Sequence, residues 1–222
     1  MKTGLHPKVL IVTEDGFDPT FGSANLVLSR AYSDAVSSAG GIPITAMDIR
    51  TCSEYLEFAD ALLLTGGGNI HPSRYKGLVS DMSDLQGFSN TRDDMDFTLA
   101  DLFVKAGKPV LGVGRGAMVL NALLGGNINK HLPELSAHAS DPLTGGLKEI
   151  LGERVSFKRV YGWGIKTLAE FLSAEAVSEE GVIDGFSHQT LPVKGVVWHP
   201  ERELDGNPID LRLYRWLVNS VK

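Results

Sequence analysis

Two short stretches carry residue types that could do chemistry together. Pro109-Val-Leu-Gly-Val-Gly-Arg-Gly-Ala-Met118 reads as a buried strand, a sharp turn at Gly114 and a helix opening at Arg115. Val196-Val-Trp-His-Pro-Glu201 reads as a second apolar strand that ends in His199 and, two residues on, Glu201. A strand-turn-helix elbow with a distant His-x-Glu is the layout of a nucleophile, a general base and the carboxylate that orients it. In an extended chain, residues two apart face the same side, so Glu201 can reach the imidazole of His199. The turn itself holds Gly114, where attack on a carbonyl would require a thiol or hydroxyl. Taken alone, His199-x-Glu201 reads as a strand-end histidine beside a solvated glutamate, because a motif needs its structural context, and the other motifs turn the reading toward the triad position.

Other candidate groups are weaker. Gly112-x-Gly114-x-x-Ala117 fits the dinucleotide fingerprint, but it follows the fourth strand instead of the first, and Glu134, near the right distance for the ribose, lies in a Pro-flanked stretch. Cys52 opens a helical turn, where a thiol pKa can fall, but it is far in sequence from the elbow. His71, His131, His138 and His188 lack metal-ligand spacing, so neither a metal nor a cofactor is expected. Asp93, Asp94 and Asp96 read as an acidic helix start that complements the helix dipole. Trp163, between Gly162 and Gly164, could line a pocket or belong to the core.

The elements that must position these groups follow from periodicity. Lys8–Thr13, Ala59–Thr65 and Pro109–Val113 are continuous apolar runs, typical of strands buried on both faces. Between them, Ser23–Ala39, Cys52–Phe58, Thr91–Ala106 and Arg115–Leu124 have helical spacing, with Thr91-x-x-Asp94 resembling a capping box. Ile42–Thr45 adds a short strand. Alternation of this kind predicts an α/β fold of three layers, a mostly parallel sheet with helices on both faces. The second half offers strands at Arg154–Val160, Ala174–Glu179, Val182–Ser187 and Gly195–His199 and an amphipathic helix at Asp210–Val221. Asn127–Leu151 is the least regular stretch and is expected to loop over one edge of the sheet. No repeat or linker divides the chain, so residues 1–222 are read as a single domain.

Composition narrows the function classes. A hydrophobic share of 43% is ample for a sizeable core. The net charge of -6, without a Lys/Arg-rich run, argues against nucleic-acid binding. One cysteine excludes an internal disulfide framework and fits a reducing compartment. The apolar run Val9–Val12 is too short for a membrane span, which points to a cytoplasmic protein.

Taken together, the motifs resemble one family. The elbow, followed by Leu120-Asn-Ala-Leu-Leu-Gly-Gly126, is similar to that of class I glutamine amidotransferases, in particular the gamma-glutamyl-gamma-aminobutyrate hydrolase type. That elbow reads P-V-L-G-I-C-R-G-x-Q. Leu62-Leu-Leu-Thr-Gly-Gly-Gly-Asn-Ile-His-Pro72 resembles its Gly-Gly loop, Arg92-Asp93 its R-D helix start, and Trp198-His-Pro-Glu201 its W-H-P-E signature. The resemblance spans about the whole chain and implies a flavodoxin-like fold. It also implies a chemistry in which a thiolate at position 114 attacks a gamma-glutamyl amide to give a thioester. His199 would carry the proton, and Glu201 would hold its tautomer. Backbone N–H groups of Arg115 and of the Gly66-Gly67 turn would meet the oxyanion.

The departures are specific. Gly114 stands for the cysteine, Met118 for the glutamine four residues on, and Asn69 for the aspartate of the Gly-Gly loop. The family's N-S-x-H segment corresponds to Val160-Tyr-Gly-Trp-Gly164, which has no histidine. Three readings result. The first is a non-hydrolytic relative that binds a gamma-glutamyl amide or glutamine-like small molecule, as a homodimer or beside a synthetase subunit. The second is an active hydrolase carrying a Cys-to-Gly change, and the third is a nucleotide-binding module using Gly112-x-Gly114.

Overall fold

The computed structural model describes residues 6–75, 88–129, 138–158, 163–202 and 209–222. Among these, nine strands form one sheet in the order β4-β1-β5-β6-β13-β12-β10-β7, with β11 also paired to β12. The first five, β4 (Ile42–Ala46), β1 (Lys8–Val12), β5 (Ala61–Leu64), β6 (Val110–Val113) and β13 (Val193–Val196), run parallel. Beyond them β12 (Ile183–His188), β10 (Gly164–Thr167), β7 (Asn127–Asn129) and β11 (Leu172–Val177) pair antiparallel.

Alternation along the strands explains the layers. In β1, Leu10 and Val12 enter one core with α2 (Cys52–Phe58), α3 (Asn90–Lys105) and α4 (Arg115–Leu123). Val9 and Ile11 enter the other with α1 (Arg30–Ser38), α5 (Gly145–Leu151) and α6 (Arg212–Asn219). All four side chains are fully buried, as a parallel sheet covered on both faces requires. The α/β fold with helices on both faces is therefore the one expected from sequence.

Several boundaries differ. The helix expected from Ser23 begins at Arg30, and Ser23–Val27 is instead β3, hairpinned with β2 (Glu14–Asp18). Leu26, Val27 and Leu28 continue the apolar rhythm of Ala31 and Tyr32, so the hairpin imitates a longer helix. Helix α3 starts one residue before Thr91, and its cap is Ser89, whose hydroxyl accepts the Arg92 N–H at 3.1 Å. The described parts of the stretch 127–151 carry regular elements where a loop was expected. They contain β7 at the sheet edge, β8 (His138–Pro142) and α5. The start of α5 is capped from a distance, since the Glu175 carboxylate on β11 accepts the Gly146 and Leu147 N–H groups at 3.0 and 2.7 Å. The strand at 154 is β9 (Arg154–Lys158), which pairs with β8 away from the main sheet. Glu134 and His131 lie outside the described residues.

Candidate active site

Three neighbouring parallel strands deliver the site. β5 leads into Gly66–Gly68, β6 into Gly114, and β13 into His199, all at the carboxyl ends of the strands, where open α/β sheets place ligands. Gly114 sits at φ 57° and ψ -115°, a conformation that L side chains adopt only under strain. Its N–H donates to the Val196 carbonyl at 2.8 Å, which fixes the elbow to β13. Arg115 is the first residue of α4, so its amide has no intrahelical acceptor.

His199 and Glu201 meet as expected, but not for the expected reason. β13 ends at Val196, and both residues lie in the following turn, closed by the Arg202 N–H on the His199 carbonyl at 3.2 Å. The turn brings His199 Nδ1 to 2.6 Å from Glu201 Oε1, with both side chains almost fully buried. A carboxylate only accepts, so Nδ1 donates its proton and Nε2 carries the lone pair, the tautomer a general base needs. Tyr214 donates to Glu201 Oε2 at 3.2 Å, and Arg202 Nε lies 3.2 Å from Oε1. The Tyr32 hydroxyl stands 3.3 Å from His199 Nδ1. Burial first, and then the Glu201 charge, push both tyrosine hydroxyls well above their ordinary range, so they stay protonated donors.

The donor role expected of Gly66 needs correction. Its N–H is buried and already donates to the Tyr32 hydroxyl at 2.8 Å. Gly66 matters for space instead. A Cβ there would come within 2.5 Å of His199 Cε1, so only glycine lets the imidazole lie on the loop. Gly68 N–H donates to Glu14 at 3.0 Å. The amides of Gly67 and Arg115 have no acceptor among the described residues. A cavity of about 270 Å³ lies between Glu14, Val27, Tyr32, Gly66, Gly67 and His199. A second, of about 30 Å³, is lined by Gly67, Asn69, Arg115, Met118 and Trp163, among others. Three positions singled out from sequence, Asn69, Met118 and Trp163, thus meet in one place.

Beneath the elbow lies a buried ionic cluster. The carboxylates of Asp93 and Asp96 are fully buried. Arg115 pairs with both of them, while Arg92 reaches Asp96 at 3.0 Å and the Thr65 hydroxyl at 2.8 Å. These two aspartates therefore anchor α4 to α3, Asp93 also lies in the first turn of α3, and Asp94 pairs near the surface with Arg74. Desolvation holds both guanidinium groups down at about 10 despite their partners. Gly112 has a packing role, since a Cβ there would lie 2.6 Å from the Gly116 backbone. Close strand–helix packing accounts for this glycine without a nucleotide. Cys52 is buried with its sulfur 3.8 Å from that of Met95, and desolvation raises its pKa, as for an inert thiol. His71 caps the turn at Pro72–Arg74, and His188 accepts two amides of its own turn. Among the described residues no group of three or more His, Cys, Asp or Glu could hold a metal. Nor is any helix among them long and apolar enough to cross a membrane.

The family model of peptidase C26 matches residues 17–201. The chain belongs to the peptidase C26 family. Among relatives, a Schizosaccharomyces pombe protein provisionally named a glutamine amidotransferase is 30% identical, over 87% of this chain and 82% of its own. Protein NtpR of Enterococcus hirae is 27% identical over 98% of both chains. The gamma-glutamyl-gamma-aminobutyrate hydrolase of Escherichia coli K12 is 26% identical over 81% of this chain and 80% of its own. The fold is shared with a crystal structure of a Thermoplasma acidophilum protein provisionally named as part of GMP synthase. The TM-score is 0.70 at 15% identity, over 98% of this chain and 96% of that one.

Sequence reasoning missed the role of several residues that surround this arrangement. Tyr32 shares the apolar face of α1 with Ala35 and Val36, and a buried tyrosine hydroxyl needs a partner, which was the available signal. Asp93 and Asp96, three apart, share a helix face with no exposed requirement, which could have marked them as buried. Tyr214 and Arg202 carried no such signal.

Proposed function

We propose that the protein binds a gamma-glutamyl amide or a glutamine-like compound at this site without thiol hydrolysis. The observation that carries the reading is Gly114 at the elbow, with the His199–Glu201 pair and the glycine loop around it intact. The Gly67 and Arg115 amides supply a dipolar cradle for a carbonyl or carboxylate, which works with or without a neighbouring thiol. The names of the relatives support the ligand class. Asn69 and Met118, two further departures from the motif the chain resembles, border the small cavity beside the Gly67 and Arg115 amides.

Titration with glutamate, glutamine and gamma-glutamyl amides, followed by chemical-shift mapping, is the test. The expected dissociation constant is on the order of 0.1–10 mM, since few contacts offset the loss of ligand freedom. Absence of shifts at Gly67, Arg115 and His199 at high ligand concentration would refute binding. Gly114→Cys separates the two hydrolase-related readings. If an active enzyme carries a Cys-to-Gly change, this variant releases glutamate from gamma-glutamyl amides. Hydrolysis by the unmodified chain with Cys52→Ala would refute the non-hydrolytic reading. The substituted cysteine should itself cost about 1 kcal/mol of stability, because the elbow backbone strains an L residue.

A further inference from the structure

Among the described residues the β2–β3 hairpin forms a sheet of its own, tied to the rest of the fold through β2, where Glu14 accepts the Gly68 N–H and Asp15 accepts the Ser89 hydroxyl. Among the described residues β3 pairs only with β2, and all five of its residues, Ser23–Val27, are exposed. Several of the molecule's exposed large apolar side chains gather on or beside it. Phe17 and Phe21 are 66% and 81% exposed, and Leu26, Val27, Met47 and Ile49 are also open. An isolated two-stranded hairpin is marginal in water, and β3 presents its free edge without the lysine, proline or bulge that natural edge strands use to block pairing.

We propose that β3 pairs antiparallel with β3 of a second copy of this chain, giving a closed two-fold dimer around a four-stranded sheet. Charge selects this occupant. Every charge on residues 14–29 is acidic and lies on β2, at Glu14, Asp15 and Asp18, while β3 carries none. Pairing through β2 would set carboxylates against carboxylates. Pairing through β3 leaves the two acidic strands three spacings apart, roughly 14 Å, beyond the screening length of about 8 Å at physiological salt. In a register centred on Asn25, Ala24 of one copy meets Leu26 of the other. Both share a face with Phe17, because the hairpin register pairs Phe17 with Ala24 and Asp15 with Leu26. Each cross-strand row on that face then runs Phe17, Ala24, Leu26 of the other copy and its Asp15, so the apolar side chains meet at the centre with a carboxylate at one end, and the Asn25 amides face each other on the opposite side. A two-fold operator satisfies both free edges at once, so the assembly stops at two chains.

Light scattering coupled to gel filtration tests the proposal on the full chain. The protein should have twice its 23.9 kDa chain mass. Asn25→Lys and Asn25→Glu should each run at the single-chain mass, because like charges meet at the centre of the interface. An equimolar mixture of the two should regain the double mass. A parent of single-chain mass at its highest soluble concentration overturns the proposal, and so do variants that stay dimeric or a mixture that does not re-associate. Hydrogen exchange of the unmodified protein needs no variant. The amides of residues 23–27 should lose protection on dilution, and exchange independent of concentration overturns the pairing.

Discussion

Tyr32 holds the Gly66 amide on one side and stands against His199 on the other, so its hydroxyl bridges the glycine loop and the His–Glu turn. Tyr32→Phe keeps the ring in the core but leaves the Gly66 N–H buried without an acceptor. The expected cost is about 1–3 kcal/mol, the penalty for an orphaned buried donor. Urea denaturation measures it, and an unchanged midpoint would mean that the amide finds another acceptor. Individual residues were unevenly readable in the sequence. His199 and Glu201 were readable only together with the elbow and the glycine loop, because the pair by itself looks like a histidine beside a solvated glutamate, and the turn that joins them left no local pattern. Gly66 was readable as a loop glycine but not as the seat of the imidazole. That role depends on a contact between residues 133 positions apart, which no local pattern encodes.

Elements were readable where burial on both faces wrote long apolar runs, as in β1, β5 and β6. They were misread where a strand is exposed, as in β3, or where a helix is capped from across the fold, as in α5. The α5 cap belongs to a chain of buried polar groups joining four elements. Lys194 on β13 lies 2.6 Å from the Ser187 hydroxyl on β12, which donates at 2.6 Å to the same Glu175 carboxylate that caps α5. Burial pushes the Lys194 ammonium below its ordinary value of 10.5, with Glu175 and Glu149 opposing only in part. The folded protein therefore releases this proton at a lower pH than the unfolded chain does. Between the folded value and 10.5 the unfolded chain binds more protons, so the contribution of this position to stability rises with pH. Chemical denaturation of the protein and of Lys194→Met across the alkaline range should show the difference moving in favour of the parent. A constant difference, or one of opposite sign, would contradict the burial effect.

At the scale of the whole molecule, the sheet separates two cores, and the β2–β3 hairpin rises at the end where the site opens. Its two faces do different work. Glu14 and Val27, paired across the hairpin, line the cavity beside His199. Asp15 and Leu26, the next pair, line a separate cavity of about 130 Å³ over Arg92 and Met95. One wall of the site is thus made from the element proposed to join two chains. Thermodynamic linkage then ties the two events together. If self-association fixes this wall in the form that receives the ligand, ligand must strengthen the dimer by the same factor by which the dimer strengthens ligand binding. Apparent affinity would then depend on protein concentration and would lose that dependence in Asn25→Lys. Calorimetric titrations at two protein concentrations would expose the coupling, and identical isotherms would show that wall and interface are energetically independent. A chain with glycine at its elbow would then still transmit a signal, with small-molecule concentration read out as the proportion of paired chains.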